Sequence, residues 1–248
     1  MNLGRDGYVV FDADPRVAKW ARAAESVATR IAKDPKTRAA NLRHGETWFV
    51  GVDALPNGTE GQVDGVALAG PWHGHVPDVP MHNGQLSIIY PGYPQRDPDQ
   101  SAANHQYRIT RAAAHVDGLL PEGPERRRYA REFHAYILGL PLNAVSLAPT
   151  VVWPGSHVIM QAALVKAIGT GVISEVDLND VYHAARRTVF VTCEPVPIAA
   201  TPGQSFLIHR FALHGTAPWD GPVTAGRMIA FFRPEFSDPK DWLAIDAT

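Results

Sequence analysis

The sequence is short of cysteine, of net charge and of long apolar runs, and each shortage excludes something. A single cysteine, Cys193, in 248 residues rules out an internal disulfide framework and any zinc or iron–sulfur site built from several thiolates. Cys193 itself reads as a small core residue. With 23 Lys and Arg against 25 Asp and Glu, the formal net charge is −2, so nothing draws the chain as a whole to nucleic acid or to an anionic membrane. Residues 133–165 carry no Asp, Glu, Lys or Arg, yet Pro141, Pro149 and Pro154 divide the stretch. A spanning helix wants roughly 20 predominantly apolar residues, so buried strands and turns suit this segment better. At the start, Arg5 and Asp6 come before any apolar core could form, which predicts no secretory leader and a cytoplasmic protein. No repeat or long linker divides the chain, and one domain over 1–248 is expected.

What is abundant is glycine and proline, 21 of each, beside 45% hydrophobic residues. That balance predicts a packed core of short strands joined by tight turns. Residues 7–11 read as a strand. A helix follows over 14–33, capped by Asp14 with Pro15 at its first position and carrying Val17, Trp20, Ala21, Ala24, Val27, Ala28 and Ile31 on one face. Strands are predicted at 48–53, 63–69, 85–90 and 107–117, with a polar surface loop over 91–105. An Arg-rich helical turn holding Arg126, Arg127, Arg128 and Arg131 reads as a solvated face. Strands over 133–153 and helices over 157–168 and 175–187 come next, the second with Ser174 and Asp177 in capping-box spacing. Strands at 188–193, 205–213 and 226–233 close the pattern. The fold class is therefore a β core with helices packed outside it.

Three stretches carry chemistry. In His115-Val116-Asp117, residues i and i+2 of an extended chain point to one side, so imidazole and carboxylate converge while Val116 points away. That is two thirds of a 2-His-1-carboxylate set, the arrangement that leaves positions open on non-haem iron. A third ligand could come from His209 or His214, which would face opposite sides of a regular strand. Arg227, thirteen residues after His214, opens an apolar strand, where a cation is costly unless it meets an anion or solvent. Trp72-His73-Gly74-His75 and His82 form a second imidazole cluster, but with no carboxylate at a matching offset it reads as a surface loop.

His115-x-Asp117, Trp153-Pro154-Gly155-Ser156-His157, Pro202-Gly203-Gln204, His214-Gly215-Thr216 and Arg227 occur in the order that resembles the phytanoyl-CoA dioxygenase family, over about residues 85–234. The resemblance implies a double-stranded β-helix, also called a jelly roll or cupin-like fold, and an Fe(II)- and 2-oxoglutarate-dependent dioxygenase. It implies His115, Asp117 and His214 as iron ligands, with Arg227 on the distal carboxylate of 2-oxoglutarate and Thr216 as a second contact. O2 is then the co-reactant, succinate and CO2 are released, and a small organic substrate is hydroxylated. Asp117, absent in the family's halogenases, favours hydroxylation. Gln204 stands where the family usually has Asp, a turn effect. Trp219 stands where Asn often follows the His-Gly segment and is expected to reshape the pocket mouth. His134, Tyr136, Tyr107 and Trp153 are further pocket candidates. Loops 71–84 and 91–105 would form the walls, so the substrate stays open, and no separate CoA-binding signal is present. The competing reading is a metal-dependent isomerase or hydrolase, or a non-catalytic binding module, on the same β-helix.

Overall fold

The computed structural model describes residues 2–222 and 225–244. In chain order the strands are β1 (Tyr8–Phe11), β2 (Leu42–Arg43), β3 (Trp48–Leu55), β4 (Gly84–Ile89), β5 (Leu119–Glu122), β6 (Arg127–Ala130), β7 (Tyr136–Pro141), β8 (Thr150–Val152), β9 (Val196–Ile198), β10 (Ser205–His209), β11 (His214–Thr216) and β12 (Arg227–Phe232). The helices are α1 (Leu3–Asp6), α2 (Pro15–Lys33), α3 (Pro35–Asn41), α4 (Ala102–Arg111), α5 (Ser156–Ile168), α6 (Asn179–Thr192) and α7 (Pro239–Leu243).

Seven strands pair in the order β1-β10-β7-β12-β4-β3-β2, and three more in the order β11-β8-β9. The sheets face each other: Ile137, Phe206, Ile208, Ile229 and Phe231 of the large sheet meet Val152 and Ile198 of the small one. The alternate residues Leu138, Leu140, Leu207 and Ala230 point outward, under Val17, Trp20 and Ala24 of α2. A sheet covered on both faces needs apolar side chains at consecutive positions, which is why β7 and β10 read as unbroken hydrophobic runs. Behind the small sheet, Val151, Trp153 and Leu213 pack against Met160 and Leu164 of α5 and Tyr182 and Val189 of α6. The result is a double-stranded β-helix with flanking helices, the fold class the sequence predicts. Among the described residues, no helix is long and apolar enough to cross a membrane.

Several local expectations give way to other structure. Residues 107–117 are not a strand and 91–105 is not all loop, because α4 runs from Ala102 to Arg111, capped by Ser101 on the Asn104 amide at 3.2 Å. None of its residues is fully buried, and Tyr107 is its only apolar residue packed on the core, too little of a stripe to mark a helix. Residues 188–192 continue α6, with Cys193 as its cap, since Tyr182, Ala185 and Val189 form one buried helical stripe that outweighs the β-branched run around it. That helix begins at Asn179 rather than 175, with the Asp177 carboxylate accepting the Asn179 amide at 3.0 Å. The Arg-rich stretch is strand β6, paired with β5. Residues 63–69 make only a bridge between Val63 and Val66 around Asp64-Gly65, both with positive φ, 47° and 74°. Asp34-Pro35 ends α2 but caps α3 at once.

Candidate metal centre and cavity

Tyr107 and the segment after α4 fix the first half of the site. Ala112 and Ala113 both adopt left-handed backbone, φ 51° and 52°, which costs non-glycine residues on the order of 1 kcal/mol each. Two contacts hold the bend: the Tyr107 hydroxyl donates to the Ala114 carbonyl at 2.7 Å, and the Thr216 amide to the Ala112 carbonyl at 2.9 Å. The chain passes so close to β11 that a Cβ on Gly215 would sit 2.1 Å from the Ala112 oxygen, so the His-Gly-Thr segment requires its glycine. His115 and His214 then exchange both backbone hydrogen bonds, at 2.8 and 3.0 Å, and their rings lie 4.7 Å apart. Val116 turns into the core behind the small sheet while Asp117 turns toward the imidazoles, as the spacing predicts, though in an extended bend rather than a strand.

Both histidines have one tautomer imposed on them. His115 Nδ1 lies 3.0 Å from the Ala113 carbonyl and His214 Nδ1 3.0 Å from the Ala212 carbonyl. A carbonyl only accepts, so each Nδ1 carries the proton and each Nε2 presents its lone pair. Those lone pairs converge on Asp117, with His115 Nε2 at 3.0 Å from Oδ1 and His214 Nε2 at 3.5 Å from Oδ2. The three ligand atoms all lie within 4.8 Å of one another, and among the described residues this is the one His/Cys/Asp/Glu group able to hold a metal ion. The His214 Nε2 is buried and has no hydrogen-bond partner, which suits a metal ligand and is costly otherwise. Burial works against ionisation of Asp117, but the Arg233 guanidinium outweighs it and holds the carboxyl well below the usual range.

The trio lies in a cavity of about 420 Å³ between the two sheets. Trp48, Ser87, Thr150, Thr216 and Phe231 line it, and Asp53, Glu132 and Glu235 put carboxylates around it. Arg227 and Arg233 share one face of β12. Arg227 is 3% exposed, reaches only the Thr150 hydroxyl at 3.4 Å, and leaves Nε and Nη2 without partners. Burial pushes its guanidinium down to about 10.

The other candidates divide. Thr216 faces the cavity opposite its β8 partner Thr150, and His134 lines it too, with Nε2 3.0 Å from Glu132. Tyr136 points the other way, into the core under α2, and Trp153 is core behind the small sheet. Trp219 does not shape the mouth: it packs on Ile89, Tyr93 and Ala148. His209 is turned from the trio toward His157, ring centroids 4.8 Å apart, because the chain bends between β10 and β11. Gln204 makes the expected turn contact with Thr201. His73 and His75 are not part of a metal group, but His82 belongs to the cavity wall, accepting the Arg233 amide at 2.8 Å. Sequence reasoning missed Arg233, His82, Glu132 and Thr150. Arg233 alone left a signal, a second cation on β12's alternation six residues after Arg227.

No protein-family model matches the chain, and no curated protein matches it. Solved structures do. EctD from S. alaskensis with bound Fe aligns at 15% identity and a TM-score of 0.50, over 94% of this chain and 74% of that one. SnoK, described as a non-heme alpha ketoglutarate dependent carbocyclase from nogalamycin biosynthesis, aligns at 12% identity and a TM-score of 0.54, over 94% of this chain and 81% of that one. Likeness at this level establishes the shared fold.

Proposed function

We propose that the chain is one domain of the phytanoyl-CoA dioxygenase type, using Fe(II), 2-oxoglutarate and O2 to hydroxylate a small organic substrate. The observation that carries this reading is Arg227: a fully buried guanidinium with two unpartnered nitrogens, whose Nη1 reaches Thr150 in the wall of the cavity that holds the two-histidine, one-carboxylate trio. A metal isomerase or hydrolase on this fold has no need of a second, uncompensated cation. A cosubstrate bearing a distal carboxylate supplies the missing anion, and the planar guanidinium fork suits it. EctD, described with bound Fe, and SnoK, described as alpha ketoglutarate dependent, share this fold and are consistent with that chemistry.

In this reading His115, Asp117 and His214 hold the iron, the two histidines through Nε2. The Ala113 and Ala212 carbonyls keep each Nδ1 protonated, so both rings are oriented before metal arrives. Arg233 holds the Asp117 carboxylate by its Oδ2 at 2.5 Å and leaves Oδ1 facing His115. Arg227 binds the distal carboxylate of 2-oxoglutarate, with the Thr216 hydroxyl as a second contact and Thr150 steadying the guanidinium. Trp48 and Phe231 keep water from the reacting face. When bound, iron, 2-oxoglutarate and O2 together supply the oxidising chemistry and yield succinate, CO2 and hydroxylated product.

Anaerobic titration of the metal-free protein with Fe(II) and then 2-oxoglutarate tests this directly. The expected result is a visible metal-to-ligand charge-transfer band, absent in His115→Ala and Arg227→Ala. Metal binding without the band in the wild-type protein would overturn the oxygenase assignment in favour of isomerase or hydrolase chemistry, and no metal binding would favour a binding module.

A further inference from the structure

On the far side of His115 lies a second cavity, about 210 Å³, with Arg108, Arg128 and Arg186 in its wall. The three come from α4, β6 and α6, elements distant in sequence that converge here. Aromatic rings hold them in place: Arg128 and Arg186 lie over Tyr182, with centroid distances of 4.7 and 5.2 Å, Arg186 also covers Tyr107 at 4.8 Å, and Arg108 lies over Trp48 at 5.5 Å. Ring faces position guanidiniums but do not neutralise them. Their hydrogen-bond partners are neutral too: the Leu119 carbonyl for Arg128, His183 for Arg186 and the Tyr93 hydroxyl for Arg108, whose Nε is buried without a partner.

Among the described residues no carboxylate lies within ion-pair distance of these three cations. Acids of the surrounding segments make their hydrogen bonds and ion pairs elsewhere: Asp97 accepts from the His44 and Gly45 amides at 2.8 and 2.7 Å and meets Arg108 only through space, and Asp180 pairs with Arg127 at 3.3 Å. The field is felt locally: burial and then Arg186, Arg128 and Arg187 push His183 below the usual histidine range. Elsewhere the chain does pair its arginines, as Arg131 with Glu122 and Arg127 with Asp177 show. Three forked donors gathered around one small polar cavity, with no internal anion, describe an oxyanion site waiting for its ligand.

We propose that this pocket binds a phosphoryl group, of a phosphate monoester or a diphosphate, on a small molecule that shares the His115 wall with the metal cavity. The charge count selects the class. A carboxylate would leave two of the three cations uncompensated, whereas a phosphate monoester brings about −1.5 to −2 charge and three acceptor oxygens. The site stands without the oxygenase reading, and its test needs no iron.

Calorimetric titration of the metal-free protein with inorganic pyrophosphate, at low ionic strength, is the experiment. The expected result is saturable binding with one site per chain, weakened at least tenfold in Arg128→Gln and Arg186→Gln and less than twofold in Arg227→Met. Acetate at the same concentrations should not compete. Because both arginines stack on Tyr182, Arg186→Lys supplies a gentler variant that keeps the charge and loses the fork; it should also weaken binding, with the thermal melt unchanged. A wild-type protein that shows no saturable binding, or variants that bind pyrophosphate as the wild type does, would overturn the site. Acetate competing as well as pyrophosphate would overturn the phosphoryl class. Pyrophosphate binding in a protein that forms no charge-transfer band would leave this site standing and remove only the oxygenase reading.

Discussion

Arg227 and Arg233 bracket the same strand and face the same side of it, yet their circumstances are opposite. Arg233 has its anion inside the chain: Nε meets Asp117 Oδ2 at 2.5 Å and Nη1 meets Gln85 at 2.5 Å. Arg227 is more deeply buried and has nothing but a long contact to Thr150. A cation removed from water costs several kcal/mol unless an opposite charge repays it, so Arg233 contributes to the stability of the empty protein while Arg227 subtracts from it. A charge kept at a net cost to the fold marks the place where something from outside is to bind.

The largest effect expected from breaking this contrast is at Arg227. Arg227→Met should lower 2-oxoglutarate affinity roughly 100-fold, the loss of a bidentate charged contact being on the order of 3 kcal/mol. The same variant should raise the urea midpoint of the metal-free protein, since it replaces a stranded charge by an apolar side chain of similar length. Opposite signs in the two measurements are the signature; a lower midpoint would mean that Arg227 already has an internal partner. Next comes the other end of the strand. Arg233→Met should destabilise the metal-free protein by about 2 kcal/mol, less than a fully buried pair because both side chains keep some water contact, 17% and 14% exposed. Asp117→Ala alone should also destabilise, by stranding Arg233 as Arg227 is stranded now, and should abolish turnover. The double variant should recover part of both losses, and strict additivity in the denaturation cycle would dissolve the pair.

How much of this was legible beforehand depends on whether the signal was periodic. The stripe of α2 and the β1, β4, β10 and β12 runs follow from spacing, and the His115–Asp117 convergence follows from i and i+2 lying on one side of an extended chain. Helix α4 was hidden because none of its residues is fully buried, and its Tyr107-Arg108-Ile109 alternation imitates a strand. The choice of His214 over His209 needed the family resemblance, since only the bend between β10 and β11 sends the two rings to different places. Arg227 and Arg233 have the same residue type and the same parity, and the sequence distinguishes neither from the other. Which of them is compensated is decided by residues 116 and 148 positions away in the chain, Asp117 and Gln85. The same blindness made Arg126–Arg131 read as a uniform solvated face, when Arg127 and Arg131 are paired and Arg128 is not.

A weaker version of the contrast sits at His44, where the two kinds of neighbour act on one ring. His44 is buried between Asp97, 3.4 Å from its Nδ1, and Arg108. The opposing charges largely offset each other, so burial decides, and with Arg108 it pushes the imidazole down to about 4. The sign follows from linkage. Below about pH 6.5, the ordinary histidine value, the unfolded chain takes up a proton that the folded chain refuses until about pH 4, so stability falls as pH drops through that window and is unaffected above it. His44→Asn suits the position, whose φ of 55° is left-handed and tolerated by asparagine. It should flatten the change in unfolding free energy between pH 7 and pH 5, measured by urea denaturation, by an amount on the order of 1 kcal/mol. A steeper slope in the variant would mean that Asp97, not burial and Arg108, governs His44, and would show that even a half-compensated charge in this protein behaves as Arg233 does rather than as Arg227.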